Sequence, residues 1–190
     1  MKRTGHLLRV WSLTLAAAAL PGCGGSSSPT PPPPPTPKVV FTPASPAPAP
    51  PSITLVEQSR TSSSITLIVR VNGITNLYGV SFDLVWSAAT LSYSTSAESA
   101  FLRQDGASTS FNAAHPSSGG QQDPGRLTVG ITRLGNVVGL SGTGDLMTVT
   151  FFAVASGTTG LSFEGSQALD AKGAAIPGVS WAGGAVSVTK

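Results

Sequence analysis

Beyond residue 52 the chain alternates apolar and polar positions with period two. In 64–73 (SITLIVRVNG), Ile65, Leu67, Val69 and Val71 fall on one side and Thr66 and Arg70 on the other, with Ile68 breaking the alternation. In 76–86 (NLYGVSFDLVW), Tyr78, Val80, Phe82, Leu84 and Trp86 share a face, and Gly79, Ser81 and Asp83 occupy its reverse. In 125–134 (GRLTVGITRL), Leu127, Val129 and Ile131 alternate with Thr128, Gly130 and Thr132. In 144–155 (GDLMTVTFFAVA), Met147, Val149, Phe151 and Ala153 alternate with Thr148, Thr150 and Phe152. Successive strand side chains point to opposite faces, so each run predicts a strand with one face on a core. Shorter candidates are 53–57, 90–94, 160–164 and 184–189. Short alternating runs separated by Gly, Asn, Ser and Asp turns predict an all-β sandwich. No amphipathic helix is expected after the N-terminal region.

The pattern fails before residue 53. Twelve of the 16 prolines fall within 29–51, in PTPPPPPTPK (29–38) and PASPAPAPPS (43–52). Such a tract favours polyproline II and reads as a semi-rigid spacer. Fully extended at about 3.1 Å per residue, 24–52 reaches on the order of 90 Å. The folded domain is then expected at 53–190, enough chain for one core.

Ahead of the spacer stands Cys23, the only cysteine. Lys2, Arg3 and Arg9 precede an apolar stretch at 10–20, and Leu20-Pro21-Gly22-Cys23 closes it. Eleven apolar residues are too few to cross a bilayer, which takes roughly 20, but they suit a cleaved secretory segment of about 7–15. The order of charge, apolar run, small residue and cysteine resembles a bacterial lipoprotein signal. It implies a signal peptide at 1–22, lipidation of Cys23 and a spacer at 23–52. Membrane contact is expected through the lipid alone. Gly24 stands where an aspartate is associated with inner-membrane retention, so the expected destination is the outer membrane, facing the periplasm or the outside.

Charge narrows the partners. The formal charge of +3 includes Lys2, Arg3 and Arg9; without them eight basic residues face eight acidic ones. No basic run remains, so nucleic acid is not an expected partner. A lone cysteine excludes an internal disulfide. His115 is the only histidine beyond the signal and lies in the flexible-looking run 110–125. No Ser-His-Asp order, Gly-x-Ser-x-Gly turn or metal-ligand cluster appears. Asp83, Asp105, Asp123, Asp145 and Asp170 are scattered, with Asp105 and Asp170 in turn-like sequences. No catalytic residue, metal site or cofactor is therefore expected.

The order of motifs resembles cohesin domains, the sandwiches of cellulosome scaffolds. The residues that carry the likeness begin with ITLIVRVNG and continue through Asn76-Leu77-Tyr78-Gly79 into VSFDLVW. The turn SAATL (87–91) stands where many cohesins have Asp-Pro-x-x-Leu. Gly125-Arg126-Leu127 with VGITRLG follows, then Ser141-Gly142-Thr143-Gly144 ahead of LMTVTFFAVASGTTGLSF. Asp170 sits in a late Asp-x-x-Gly turn, and GGAVSV closes the domain. The likeness covers 53–189 and implies a jelly-roll of about nine strands. It further implies binding of a dockerin-bearing protein through one flat sheet face, with calcium required because dockerins fold around it. The family's acidic and amide contact positions on the third strand fall on Ser81 and Gly79, which supply neither group. Asp83, two residues along on the same face, is expected to substitute in part.

The partner platform is thus expected to consist of Gly79, Ser81, Asp83, Thr128, Gly130, Thr132, Thr148, Thr150 and Phe152, all on one outward face. Phe152 alternates with Phe151, so one of the two must point away from the core. Trp86 ends an inward row and is expected in the core; Trp181, flanked by glycine, is expected to be partly exposed. The cohesin likeness also implies a link to polysaccharide binding or breakdown. A tethered carbohydrate-binding module and a purely structural envelope lipoprotein are the alternatives.

Overall fold

The computed structural model describes residues 38–116 and 125–189. Alternation becomes strand in every run read above. The strands are β1 (Lys38–Pro43), β2 (Ser52–Arg60), β3 (Ser64–Leu77), β4 (Gly79–Val85), β5 (Leu91–Glu98), β6 (Thr109–Ala114), β7 (Arg126–Arg133), β8 (Leu140–Ala153), β9 (Gly157–Leu169), β10 (Ser180–Ala182) and β11 (Gly184–Thr189). One 3-10 turn, Phe101–Arg103, interrupts them.

They form a six-stranded sheet in the order β1-β11-β9-β4-β7-β6 and a five-stranded sheet in the order β10-β2-β3-β8-β5. Neighbours are antiparallel except β10 and β2, which run parallel. The two sheets bury their inner rows against each other. Ile65, Leu67, Val69 and Val71 of β3 and Met147, Val149 and Phe151 of β8 meet Val80, Phe82 and Leu84 of β4 and Leu127, Val129 and Ile131 of β7 in one cluster. Burying each such side chain contributes about 1.5–3 kcal/mol, the main force joining the sheets. Trp86 is buried as expected and its indole Nε1 donates to the Leu91 carbonyl at 2.9 Å. Gly125 enables the entry to β7: its φ is +65°, and a Cβ there would stand 2.1 Å from the Trp86 carbonyl oxygen.

Three expectations require correction. The folded domain does not begin at residue 53: Val39 and Phe41 of β1 are buried in the core, opposite Val188 and Val186 of β11. The prolines conceal this strand because they flank it. Pro43 is its last residue, on an edge strand where no missing N–H is felt. Residues 44–51 then cross from one sheet to the other, and Pro50 packs against Gly73. Second, residues 110–114 of the flexible-looking run belong to β6, which is paired along its length with β7. Third, the described residues hold eleven strands rather than about nine. Cys23, the signal and Asp123 lie outside the described residues.

Candidate functional site

The outward row of β4 (Gly79, Ser81, Asp83) lies beside that of β7 (Thr128, Gly130, Thr132), because β4 and β7 pair with Gly79 opposite Thr132, Ser81 opposite Gly130 and Asp83 opposite Thr128. On the other side of β4, β9 sets Glu164 opposite Asp83 and Gln167 opposite Ser81. Beyond β7, β6 adds Asn112 opposite Gly130 and Ser110 opposite Thr132. The outer face of the six-stranded sheet therefore carries three cross-strand rows.

The charged row is Glu164, Asp83 and Thr128, bridged by Arg126. The Thr128 hydroxyl donates to Asp83 Oδ1 at 2.6 Å, and Arg126 Nη1 donates to Asp83 Oδ2 at 2.5 Å. Arg126 Nη2 donates to Glu164 Oε2 at 2.6 Å. The Thr128 hydrogen bond, with the Arg126 guanidinium behind it, holds the Asp83 carboxyl below its ordinary pKa. Glu164 and then Asp83 push Arg126 further above its own. Half-exposed ion pairs of this kind add little stability. What the bridge does is fix two carboxylates and one guanidinium in a set geometry on a solvated surface, with one negative charge in excess.

The other rows are neutral: Gln167, Ser81, Gly130 and Asn112, then Leu169, Gly79, Thr132 and Ser110. A shallow groove runs over them, lined by Gly79, Ser81, Asn112, Gly130, Thr132 and Leu169. Gly130 lies open beneath it: a Cβ there would meet nothing within 4 Å. Gly79 is buried, and a Cβ on it would lie 3.1 Å from Thr132 Oγ1.

Thr148, Thr150 and Phe152 do not belong to this platform. They point outward, but from β8 in the five-stranded sheet, whose outer face is on the opposite side of the sandwich. There Thr66 and Thr150 share a 2.9 Å hydrogen bond, and Arg70 grips Asp145 with Nε 2.7 Å from Oδ1. Phe152 stands between Ser64 and Ser92 and is 51% exposed. Alternation identifies which residues point out; it does not say out of which sheet.

Arg126 and Glu164 escaped the sequence reading. Arg126 has the same parity as Thr128, which is a usable signal, but only the β4–β9 register brings Glu164 to Asp83. Several aromatic side chains pack against one another, mostly edge to face. Trp86 lies against Phe151, and Trp181, partly exposed, lies against Phe82 and Phe163. His115 stacks between Tyr93 and Trp86, at centroid distances of 4.8 and 5.8 Å. Asp170 Oδ1 accepts the backbone N–H groups of Lys172 and Ala174, which makes its motif a turn. Among the described residues no group of three or more His, Cys, Asp and Glu side chains could hold a metal ion. No helix among them is long and apolar enough to cross a membrane.

No protein-family model and no curated protein matches this chain. Solved structures do. The second type II cohesin module of the ScaA scaffoldin of Acetivibrio cellulolyticus superposes with a TM-score of 0.55 at 16% identity, over 70% of this chain and 87% of that one. The sixth cohesin of scaffoldin B from the same organism, solved in complex with a Cel5 dockerin mutant, gives 0.52 at 17% identity, over 76% and 96%. A type II cohesin domain from that organism's cellulosome gives 0.52 at 18% identity, over 72% and 92%. The described residues form a cohesin-type jelly-roll sandwich.

Proposed function

We propose that this protein is a non-catalytic docking module, held on a bacterial envelope by a lipid on Cys23, that binds a dockerin-type protein partner through the outer face of the six-stranded sheet. The observation that carries the reading is the row of Glu164, Asp83 and Thr128 bridged by Arg126, beside a groove of neutral side chains. Fixed polar groups on rigid strands suit recognition, since little freedom is lost on binding. The dockerin complexes of similarly folded modules support the choice of partner. Asp83 takes the acidic role, and Ser81 and Gly79 supply no second carboxylate or amide.

Because β1 begins at Lys38, the spacer after Cys23 is 24–37. Fully extended, it reaches roughly 43 Å at about 3.1 Å per residue, about half the span expected from the prolines alone.

The test is a titration of the protein against dockerin-bearing proteins, with calcium and after chelation. Binding that disappears on chelation, and weakens at least about 10-fold in an Asp83→Ala, Arg126→Ala double variant, supports the reading. Absence of dockerin binding together with retention on insoluble polysaccharide would replace it with a carbohydrate-binding role.

A further inference from the structure

The proposed docking face carries little apolar surface of its own. Apart from half-buried Leu169 and, at its edge, Ala114, its outward residues are Ser, Thr, Gly, Asn, Gln and the Asp83–Arg126–Glu164 bridge, whereas protein interfaces draw most of their affinity from a few buried apolar or aromatic side chains. Among the described residues four large apolar side chains are exposed: Leu134, Val138, Phe152 and Val154. Phe152 and Val154 lie at the end of β8, in the other sheet. Leu134 and Val138 lie in the loop between β7 and β8, and Leu134 continues the outward parity of Thr132 into that loop.

This loop is held by three hydrogen bonds, and a fourth fixes its support Asn76. The Leu134 N–H donates to the Ser108 carbonyl at 2.9 Å. The Tyr78 hydroxyl donates to the Gly135 carbonyl at 2.8 Å, and the Gly139 N–H donates to Asn76 Oδ1 at 3.2 Å. Asn76 is held at φ +59°, its own N–H donating to Ser141 Oγ at 2.9 Å. Gly139 cannot be replaced without moving this support: a Cβ would stand 2.3 Å from the Asn76 carbonyl oxygen. Conformations of this kind persist where the surroundings over-determine them. The loop thus presents Leu134, 46% exposed, and Val138, 74% exposed, from a braced backbone with no ionised side chain between them.

Its place in the fold gives the direction of approach. Lys38 pairs with Thr189 and Gly157 with Val188 at one end of the six-stranded sheet, whereas Leu169, Gly79 and Thr132 align at the other. The braced loop is at the end opposite Lys38; its Leu134 end adjoins the groove through Thr132, and its Val138 end reaches across to β3 and β8.

We propose that Leu134 and Val138 are the apolar anchors of the docking face, entering an apolar cleft of the same dockerin-type partner whose polar surface meets Asp83, Arg126 and Glu164. This rests on the docking reading above. The polar bridge fixes the partner's register and the loop supplies the burial.

Four forms of the full chain separate the two claims: wild type, Leu134→Ser with Val138→Ser, Asp83→Ala, and Phe152→Asp. Titrated against a bound dockerin, the loop pair should lose at least about 10-fold in affinity, with its melting temperature unchanged and Phe152→Asp binding as wild type. Wild-type affinity in the loop pair, with Asp83→Ala still weakened, overturns this inference and leaves the docking face standing. Loss confined to Phe152→Asp moves the site to the other sheet and removes both. If no dockerin binds the wild type, both also fall. Should the loop pair melt early, Val138→Cys in a Cys23→Ser background gives a second readout. Saturating dockerin should protect that thiol from alkylation, and undiminished alkylation overturns the proposal.

Discussion

Arg133 and Asp105 are joined through a two-pronged ion pair, with Nη2 2.5 Å from Oδ2 and Nη1 3.1 Å from Oδ1. The Arg133 side chain is wholly buried at the end of β7, and Nη1 also donates to the Leu102 carbonyl at 2.5 Å. Asp105 is exposed and comes from the turn after Phe101–Arg103. The pair pins that turn against the sheet.

Removing the exposed partner strands a buried guanidinium, which is more damaging than losing both charges. Asp105→Ala should lower the melting temperature by on the order of 5 °C or more, and adding Arg133→Met should recover part of the loss. A double variant less stable than Asp105→Ala alone would show that Arg133 stabilises by other means. Scanning calorimetry on the wild type, Asp105→Ala and the double variant decides.

Acid should act through the same group and through Asp83. Arg133 holds the Asp105 carboxyl below its ordinary pKa, and Thr128 with Arg126 does the same to Asp83. Folded pKa values below the unfolded value of about 3.9 mean that the folded state binds fewer protons in the interval between them. The stabilisation is complete above about pH 4–5 and is lost as pH falls through the folded values. Thermal stability should be flat from pH 7 to pH 5 and fall below about pH 4. Asp105→Asn should start lower and show a shallower acid decline.

β1 is the part of the domain that proline content conceals. Deleting residues 38–43 exposes Val186 and Val188 and removes the buried Val39 and Phe41. The expected cost is on the order of 4 kcal/mol. Denaturant titration of chains beginning at residue 38 and at residue 44 measures it; equal midpoints would mean that β1 is dispensable.

The envelope proposal has its own test. Cys23→Ser should move the protein from the membrane pellet to the soluble fraction when produced in a bacterium that processes lipoproteins, with its melting temperature unchanged. A variant that stays in the pellet would remove the lipid at Cys23 as the anchor.

Much of the fold was legible because burial on one face imposes its period on the residues. Ile65 to Val71, Val80 to Trp86 and Met147 to Phe151 all sit where alternation places them. β1 and β6 were not legible. Three apolar residues between prolines, and a Ser-Phe-Asn-Ala stretch beside a polar run, become strands only because β11 and β7 offer an edge to pair with. The braced loop was equally silent, since its side-chain hydrogen bonds join residues 57 to 65 positions apart.

By itself the sequence determined the all-β class, the inward rows and the outward parity of Gly79, Ser81, Asp83, Thr128, Thr132, Thr148, Thr150 and Phe152. Those depend on local alternation, which the chain carries residue by residue. Tertiary structure alone decided which strands share a sheet. It put Thr148, Thr150 and Phe152 on one side of the sandwich and Asp83 with Arg126 and Glu164 on the other. Pairing between distant strands is set by register and closure of the whole core, and no local period records it.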